Sequence, residues 1–156
     1  AANVKTTHLR ARRALRGYDG SRRPLTRELQ VKTRAALERF LACLVGGDVA
    51  GVEALLAEGV RALTDGGGEF VAALRPVRGR DKVARFFLGL TSRIGAGASI
   101  QPALVNGLPA VVIRIESTLP KAAPRVVLAC RLDDDGRIAE LWSVSASRKL
   151  SALARE

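Results

Sequence analysis

Side chains that commonly transfer protons or hold metals are scarce in this chain of 156 residues. His8 is the only histidine and Tyr18 the only tyrosine, and both precede the stretch in which a folded domain is predicted. The sequence therefore argues against a domain that uses histidine or tyrosine for acid–base catalysis. Aromatic residues make up only 4 % of the chain, so the core should consist mainly of Leu, Val, Ala and Ile.

Cysteine is also scarce, and the two cysteines lie far apart. Cys43 falls in a predicted helix and Cys130 in a predicted strand, and two isolated cysteines make no metal-binding motif. We expect two buried, reduced thiols, as in a cytoplasmic protein. The basic N-terminus has no apolar signal segment, and no apolar run approaches the length of a membrane span. The sequence thus predicts a cytoplasmic location, with no metal, no cofactor and no membrane contact.

The net charge of +11 is concentrated near the N-terminus. Residues 1–34 carry ten Lys or Arg and two acidic residues, a net charge of +8, whereas residues 35–156 carry only +3. This asymmetry suggests a polyanionic partner for the N-terminal arm and an ordinary domain behind it. Because 47 % of the residues are hydrophobic, the chain can bury a sizeable core.

The N-terminal arm is predicted to be a basic helix followed by a linker. Residues 1–17 have helical spacing, and Gly17 is expected to end the helix. Its basic side chains are either a solvated face or phosphate contacts, and composition alone leaves both open. These side chains are Lys5, Arg10, Arg12, Arg13 and Arg16. Residues 18–28 have the composition of a linker, because glycine, serine and proline interrupt regular structure there.

Two further helices are predicted before the first strand. Thr26 can cap a helix whose apolar residues follow at helical spacing, and Gly46–Gly47 should end it. Asp48 can cap a second, short helix. The stripe of the longer helix, which we expect in the core, comprises Leu29, Thr33, Leu37, Phe40, Leu41 and Leu44.

The stretch from Glu58 to Leu90 has the pattern of a strand, a glycine break, a second strand and a helix. Asp65 is followed directly by Gly66–Gly68. Three glycines in a row are costly unless the backbone needs unusual φ and ψ angles or a close approach. After Gly79, apolar residues return at helical spacing, which predicts the helix.

Beyond this helix the apolar residues alternate with period two, which predicts strands. The predicted strands are residues 98–105, 110–118, 125–133 and 138–145, and 149–156 form a short polar end. Asn106-Gly107 and Asp135-Gly136 are typical hairpin turns. No helices separate these strands, so the chain is predicted to be an α+β protein with a curved antiparallel sheet packed on about three helices. A cone-shaped fold with a pocket between sheet and helices is compatible with this order.

Few side chains of the predicted domain offer catalytic chemistry. Arg114 and Glu116 share one strand face, and with Trp142 they could line a shallow pocket, or they could form a cross-strand charge pair. Asp65 could join Arg114 and Glu116 in a water-activating arrangement, but charged pairs of this kind are common in solvated strands. The run Asp133–Asp135 lacks the alternating spacing of a calcium loop and is interpreted as a turn. We therefore predict that the domain is not an enzyme.

Ordered motifs resemble those of extracytoplasmic-function (ECF) sigma factors that carry a SnoaL-like domain at the C-terminus. Residues 1–17 resemble the end of the recognition helix of region 4, through Val4-Lys5 and Arg10-Ala11-Arg12-Arg13-Ala14-Leu15. The family often closes with Asn-Pro-Asp-Lys-Leu, of which only Lys149-Leu150 is present here. Matching domain motifs are Gly47-Asp48-Val49, Leu55-Leu56-Ala57, Asp65-Gly66-Gly67-Gly68, Val83-Ala84-Arg85-Phe86, Val105-Asn106-Gly107 and Asp135-Gly136-Arg137-Ile138.

The resemblance implies a cone-shaped SnoaL-like, or nuclear-transport-factor-2-like, regulatory domain in residues 29–156. It implies a remnant of sigma region 4 in residues 1–17 and an interdomain linker in 18–28. The domain would modulate promoter-directed transcription initiation in cis by contact with the linker and sigma domains. The implied partners are these sigma domains, the RNA polymerase core and, through the intact factor, promoter DNA. Asp65 and Gly66–Gly68 would form a docking loop, and a bulge that merely bends the sheet is the alternative.

Two other classes of function stay open from the sequence. One is a SnoaL-like small-molecule binder or an enzyme of the isomerase, cyclase or epoxide hydrolase type, which convergent charged side chains deep in the cone would favour. The other is a dimerisation module, which an apolar outer face on the last three strands would favour. A small-molecule ligand could also bias a regulatory domain between two arrangements.

Overall fold

The computed structural model describes residues 2–21, 25–94, 97–116, 120–151 and 153, and their side chains except those of 2, 3 and 16–21. The helices are α1 (Ala2–Ser21), α2 (Arg27–Val45), α3 (Val49–Leu55) and α4 (Arg80–Ile94). The strands are β1 (Leu56–Asp65), β2 (Val77–Arg78), β3 (Ala98–Val105), β4 (Leu108–Ile115), β5 (Arg125–Leu132) and β6 (Ile138–Val144). The predicted α+β class and the meander of the last four strands are confirmed.

The six strands form one sheet in the order β2-β1-β6-β5-β4-β3. Neighbouring strands are antiparallel except for β1 and β6, which are parallel, so the sheet is mixed rather than wholly antiparallel. Hairpins fix antiparallel pairing only for strands that follow each other in sequence. β1 and β6 have a helix and four strands between them, so local turn signals do not determine their direction.

Helices α2 and α3 begin at the predicted caps. The Thr26 hydroxyl accepts a hydrogen bond from the Leu29 N–H at 3.1 Å, and the Asp48 carboxylate accepts one from the Gly51 N–H at 2.8 Å. Gly46 caps the end of α2, with its N–H bonded back to the helix. These contacts satisfy backbone groups that would otherwise lack partners at helix ends. The predicted cap residues are therefore confirmed.

Helix α1 is longer than the sequence indicates. The prediction that it ends at Gly17 is wrong, because the helix continues to Ser21 through the first residues of the predicted linker. Glycine inside a helix costs about 1 kcal/mol relative to alanine, but unlike proline it keeps its N–H and does not interrupt the hydrogen-bond ladder. Linker residues 22–24 lie outside the described residues, and α2 begins at Arg27.

The main core lies between the helices and one face of the sheet, which we call the helix face. Phe40, at 0 % exposure, packs edge-on against Phe87 with ring centroids 5.5 Å apart. The predicted stripe of α2 is confirmed as core, because Leu37, Phe40 and Leu44 are buried and Leu41 packs against them. Other fully buried side chains are Leu56, Val60, Val83, Leu128, Ile138 and Leu141. The helix face is thus filled mainly by aliphatic side chains, as expected.

The opposite face of the sheet, the outer face, carries a smaller apolar cluster. Ala110 and Val127 pack there with Leu150, which is only 4 % exposed. The prediction that the chain closes with a wholly polar end is therefore wrong at Leu150. Its side chain is buried because residues 145–151 turn back over the outer face, a tertiary contact that the local composition does not reveal.

The second predicted strand is reduced to two residues, Val77–Arg78, at the edge of the sheet. Residues 66–76 form an irregular connection instead, which leaves Val71 73 % and Leu74 101 % exposed. The hairpin at Asn106-Gly107 is confirmed, with φ of 51° and 79° respectively. Two consecutive positive φ angles suit the right-handed twist of the flanking strands.

Candidate functional site

The Asp65 loop, residues 65–68, lies at the end of β1 and contacts the C-terminal turn, residues 145–150. The Asp65 carbonyl accepts hydrogen bonds from the Ser145 N–H at 2.8 Å and the Ala146 N–H at 3.2 Å. Asp65 also pairs with Val144 in the parallel ladder of β1 and β6. The end of the sheet thus joins the two segments directly, although they are far apart in sequence.

The three glycines of the Asp65 loop are needed for three different reasons. A Cβ atom on Gly66 would lie 2.3 Å from the carbonyl oxygen of Phe70. Gly67 has φ +63°, and a Cβ atom there would lie 2.7 Å from the Cβ of Ala146. Gly68 has φ +76° but no atom within 4 Å of such a Cβ. The close approach expected from the sequence therefore exists, and the segment that approaches Gly67 is the chain's own C-terminal turn.

The Asp65 carboxylate holds the loop and the turn together. One oxygen forms an ion pair with the Lys149 ammonium, and the other accepts a hydrogen bond from the Gly67 N–H at 3.0 Å. The hydrogen bond from Lys149, followed by that from Gly67, lowers the pKa of Asp65 below its ordinary value. The ionised form therefore predominates near neutral pH, and protonation would weaken this contact.

The C-terminal turn is anchored to the outer face at further points. Ala146 is 2 % exposed, and its carbonyl accepts hydrogen bonds from the Lys149 and Leu150 N–H groups. The Arg125 guanidinium donates to the Leu150 carbonyl at 3.0 Å. The turn is thus a structured part of the domain that covers one region of the outer face.

The structure does not bring Arg114, Glu116 and Trp142 together in one pocket. Arg114 pairs with Arg125 across β4 and β5, whereas Trp142 pairs with Ala129 across β5 and β6. Both side chains project to the outer face, and their partners on β5 are four residues, or about 13 Å, apart. Glu116 is exposed after the end of β4. These positions do not support the shallow pocket that the sequence predicted at the three residues.

Asp65 is likewise remote from Arg114. Strands β6 and β5 lie between β1 and β4, so three strand spacings, about 14 Å, separate the two strands. The Asp65 carboxylate is engaged by Lys149 instead. The structure therefore lacks, among its described residues, the Asp65–Arg114–Glu116 arrangement that water activation would need.

The predicted phosphate-contacting side chains of α1 are exposed wherever they are described. Lys5, Arg10, Arg12 and Arg13 all project into solvent, and the side chain of Arg16 lies outside the described residues. The apolar side chains of the same helix are also uncovered: Val4 is 72 %, Leu9 55 % and Leu15 51 % exposed. Nothing in the described part of the chain therefore buries these three apolar side chains.

Sequence reasoning missed a charged cluster at the other end of the outer face. The carboxylate of Glu140, which is only 5 % exposed, pairs with Arg61 through one oxygen and with the Arg131 Nε at 3.1 Å through the other. Burial alone would raise the pKa of Glu140, but the hydrogen bonds from Arg131 and Arg61 outweigh it and lower the pKa. The signal for this cluster is strand register, because the three residues come from three different strands.

The remaining candidate groups are a groove beside α2 and the two cysteines. A groove of about 410 Å³ lies between α2 and the Asp133–Asp135 turn, with Lys32 and Arg39 on one wall. Both cysteines are free, and burial raises the pKa of the Cys130 thiol to about 12, so it stays protonated. Among the described residues, no three His, Cys, Asp or Glu side chains are grouped to hold a metal ion. Nor does that part of the chain contain a helix long and apolar enough to cross a bilayer.

A mixed sheet that packs one face on three helices after an N-terminal extension defines the class of this domain. The family model described as "SnoaL-like domain" matches residues 37–141, which span the sequence from α2 to β6. The chain therefore belongs to the SnoaL-like family, and the predicted fold is confirmed.

The chain is similar to the ECF RNA polymerase sigma factor SigJ of Mycobacterium tuberculosis (strain ATCC 25618 / H37Rv). The two are 36 % identical over 119 residues, which are 72 % of this chain and 37 % of the sigma factor. The crystal structure of SigJ matches with a TM-score of 0.64 and 30 % identity, over 76 % of this chain and 44 % of that chain. The chain thus spans less than half the length of this relative.

An enzyme also shares the fold. The crystal structure of a steroid delta-isomerase from Pseudomonas aeruginosa matches with a TM-score of 0.58, over 74 % of this chain and 80 % of that chain. The sequence identity is only 16 %, so the likeness concerns the fold alone.

Proposed function

We propose that this chain is the C-terminal regulatory part of an ECF sigma factor and modulates promoter-directed transcription initiation in cis. The observation that carries the proposal is its 36 % identity to SigJ over 72 % of the chain. The partners would be the sigma domains and linker of the same protein, the RNA polymerase core and, through the intact factor, promoter DNA. The protein would act in the cytoplasm.

The uncovered apolar side chains of α1 support a longer protein. Leu9 and Leu15 are each more than half exposed, and the same helix also carries four arginines. A recognition helix of a helix-turn-helix must be held by its companion helix to enter a DNA groove, and that packing buries its apolar side. In the intact factor we expect apolar side chains of α1 to pack on the preceding helices, while Arg10, Arg12 and Arg13 face phosphates.

The contact between the Asp65 loop and the C-terminal turn is proposed as the regulatory element. Its main-chain hydrogen bonds fix the loop, whereas the ion pair of Asp65 with Lys149 is solvent-accessible and can be exchanged for a contact with a partner. A partner that binds the loop only in the released state would shift the domain between two arrangements. Whether a small-molecule ligand or a homodimer contributes to this shift stays a prediction.

A regulatory role without catalysis is favoured by the filling of the helix face. The cone interior is occupied by apolar side chains such as Phe40, Leu56 and Leu141, and the charged groups of the groove between α2 and the Asp133–Asp135 turn lie at its edge. Proton-transfer enzymes of this fold need such groups within hydrogen-bond reach of substrate. The domain is therefore proposed to act through contacts rather than chemistry.

A transcription assay tests the proposal. The intact factor and a version that ends at Ser21, the end of α1, would be compared at equal protein level on the factor's own promoter. A change in transcription of severalfold in either direction is expected, and equal transcription would contradict regulation by this domain.

Point variants would then locate the element. Lys149→Glu places a carboxylate against Asp65, whereas Arg148→Glu makes the same change of charge at an exposed neighbour with no described side-chain partner. The proposal expects altered transcription for Lys149→Glu only. Equal effects of the two variants would remove the Asp65 loop from the regulatory role.

A further inference from the structure

Three arginines and one glutamate lie side by side across the outer face, in a transverse row that we call the arginine row. Arg78 on β2 is directly opposite Arg61 on β1, Arg61 is opposite Glu140 on β6, and Glu140 is opposite Arg131 on β5. Direct cross-strand partners project to the same side of a sheet. The row therefore spans four strands, about 14 Å, and carries three positive charges and one negative charge.

Glu140 preorganises two of the three arginines. Its buried carboxylate binds Arg61 and Arg131 on opposite oxygens, while these side chains keep 46 % and 50 % of their surface exposed. Arg131 contacts Glu140 through Nε only, and half of its side-chain surface stays exposed for a further contact. A guanidinium held in this way loses little further freedom when it binds a carboxylate, which favours binding.

Arg78 adds an unbalanced charge to the row. It is exposed, and no ion pair or side-chain hydrogen bond joins it to any of the described residues. Like charges directly opposite each other destabilise a strand pair, so the Arg78–Arg61 pair has a cost within the free domain. A charge on β2 can protect a sheet edge from unwanted pairing, but Arg61 and Arg131 lie on inner strands and need no such protection.

An apolar row runs beside the arginine row. Leu63, Trp142 and Ala129 are opposite one another, two residues further along β1 and β6 and two residues earlier on β5. Leu63 and Trp142 are half-buried, so parts of both side chains stay accessible. Arginine and tryptophan together are typical of the residues that dominate protein–protein binding energy.

We propose that the arginine row and Trp142 form a docking surface for an acidic polypeptide segment. Its carboxylates would bind Arg78 and the free side of Arg131, and an apolar side chain between them would cover Trp142 and Leu63. Nucleic acid fits less well, because Glu140 at the centre of the row would oppose a track of phosphates and the adjoining row is aliphatic as well as aromatic. This surface adjoins the Asp65 loop, because Leu63 and Asp65 are neighbours on the outer face of β1, but it does not depend on regulation in cis.

A peptide titration tests the proposal on the whole 156-residue chain. The probe is a short fluorescein-labelled peptide of alternating glutamate and leucine, and the control peptide has glutamine for glutamate. Because Trp142 is the only tryptophan, its fluorescence with an unlabelled probe reports contact at this surface directly. We expect saturable binding of the acidic peptide only, with a change in tryptophan fluorescence; equal binding of both peptides, or of neither, would overturn the proposal.

Charge variants locate the bound peptide. Arg78→Glu should weaken binding about tenfold at low salt, since it replaces an attraction by a repulsion. Lys82→Glu makes the same change of charge on α4, on the other side of the sheet, and should bind as the unmodified chain does. Circular dichroism checks folding, and Arg78→Gln, which should weaken binding less, replaces Arg78→Glu if the latter misfolds. Unchanged binding by a folded Arg78 variant would overturn the proposal.

Two other occupants are outcomes of the same experiment. A single-stranded DNA oligonucleotide of equal charge that displaces the peptide and binds more tightly would assign the surface to nucleic acid. A dimer in sedimentation equilibrium that Arg78→Glu dissociates, and Lys82→Glu does not, would assign it to a second copy of the chain. Either result would overturn the proposed acidic polypeptide.

Discussion

The two faces of the sheet are built on different principles. The helix face is covered by three helices and filled by apolar side chains, among them Phe40, Leu56 and Leu141, that are less than 1 % exposed. The outer face carries the buried Glu140 with its arginines at one end and the Asp65–Lys149 contact at the other end. Because the interior of the cone is packed, we propose that recognition in this chain uses the outer face and the adjoining Asp65 loop.

The largest loss of stability is expected for a variant that disrupts the core on the helix face. Phe40→Ala removes a fully buried ring and should lower the free energy of unfolding by about 3–5 kcal/mol, from lost burial plus the cavity left behind. Val31→Ala on the same helix, where Val31 is 61 % exposed, should change it by less than about 0.5 kcal/mol. Urea denaturation of both variants measures the difference, and equal losses would mean that α2 does not pack as described.

A pair of glycine variants tests the contact between the Asp65 loop and the C-terminal turn. Gly67→Ala should cost about 2–3 kcal/mol, because alanine must adopt a positive φ and also meets Ala146. Gly68→Ala has the strained φ but no contact, so it should cost about 1–2 kcal/mol. Unfolding free energies give the difference, which reports the close approach of the C-terminal turn; a larger loss for Gly68→Ala would contradict that approach.

On the outer face, Glu140→Gln should lower the free energy of unfolding by about 1–2 kcal/mol. The variant removes the charge that two arginines surround, but both arginines remain half-exposed and solvated, so the loss should be smaller than for a fully buried pair. Glu69→Gln, on an exposed residue, is the matched control. Thermal or urea unfolding distinguishes them, and no difference would mean that the cluster adds nothing to stability.

The smallest expected effect is the pH dependence of the Asp65–Lys149 contact. Because the folded pKa of Asp65 is lowered, its stabilisation is present above the ordinary value of 3.8 and is lost as the pH falls through the lower folded value. Lys149→Ala should therefore flatten the decline in stability below pH 4. Unfolding curves at several acidic pH values, with Arg148→Ala as control, provide the measurement; identical slopes would show that Lys149 does not set this pKa.

Local signals in the sequence were sufficient for the caps, the hairpin and the apolar stripes. Thr26 and Asp48 cap helices through side-chain oxygens placed three residues before the donor, so neighbouring residues determine these contacts. The hairpin turn at Asn106-Gly107 likewise depends only on the positive φ angles of these two residues. The proposals of a docking loop and of a sigma-region remnant rest on family resemblance rather than on such signals.

Contacts between distant segments could not be predicted in this way. The parallel pairing of β1 with β6, the ion pair of Asp65 with Lys149 and the arginines around Glu140 each depend on register across strands that are far apart in sequence. A strand pattern gives the face of each residue but not its cross-strand partner. For the same reason Trp142 was expected near Arg114, whereas the sheet places them on strands that are not neighbours.

The most direct test of the central claim, regulation in cis, is cleavage of the linker in an otherwise unchanged reaction. A protease site would be introduced between Ser21 and Leu25 of the intact sigma factor, and promoter-directed transcription with purified RNA polymerase would be measured before and after cleavage. Both parts stay present at equal concentration, so only their covalent connection changes. The account predicts a change of severalfold on cleavage, which the same protease does not cause in the unmodified factor. Equal transcription before and after cleavage would contradict regulation in cis.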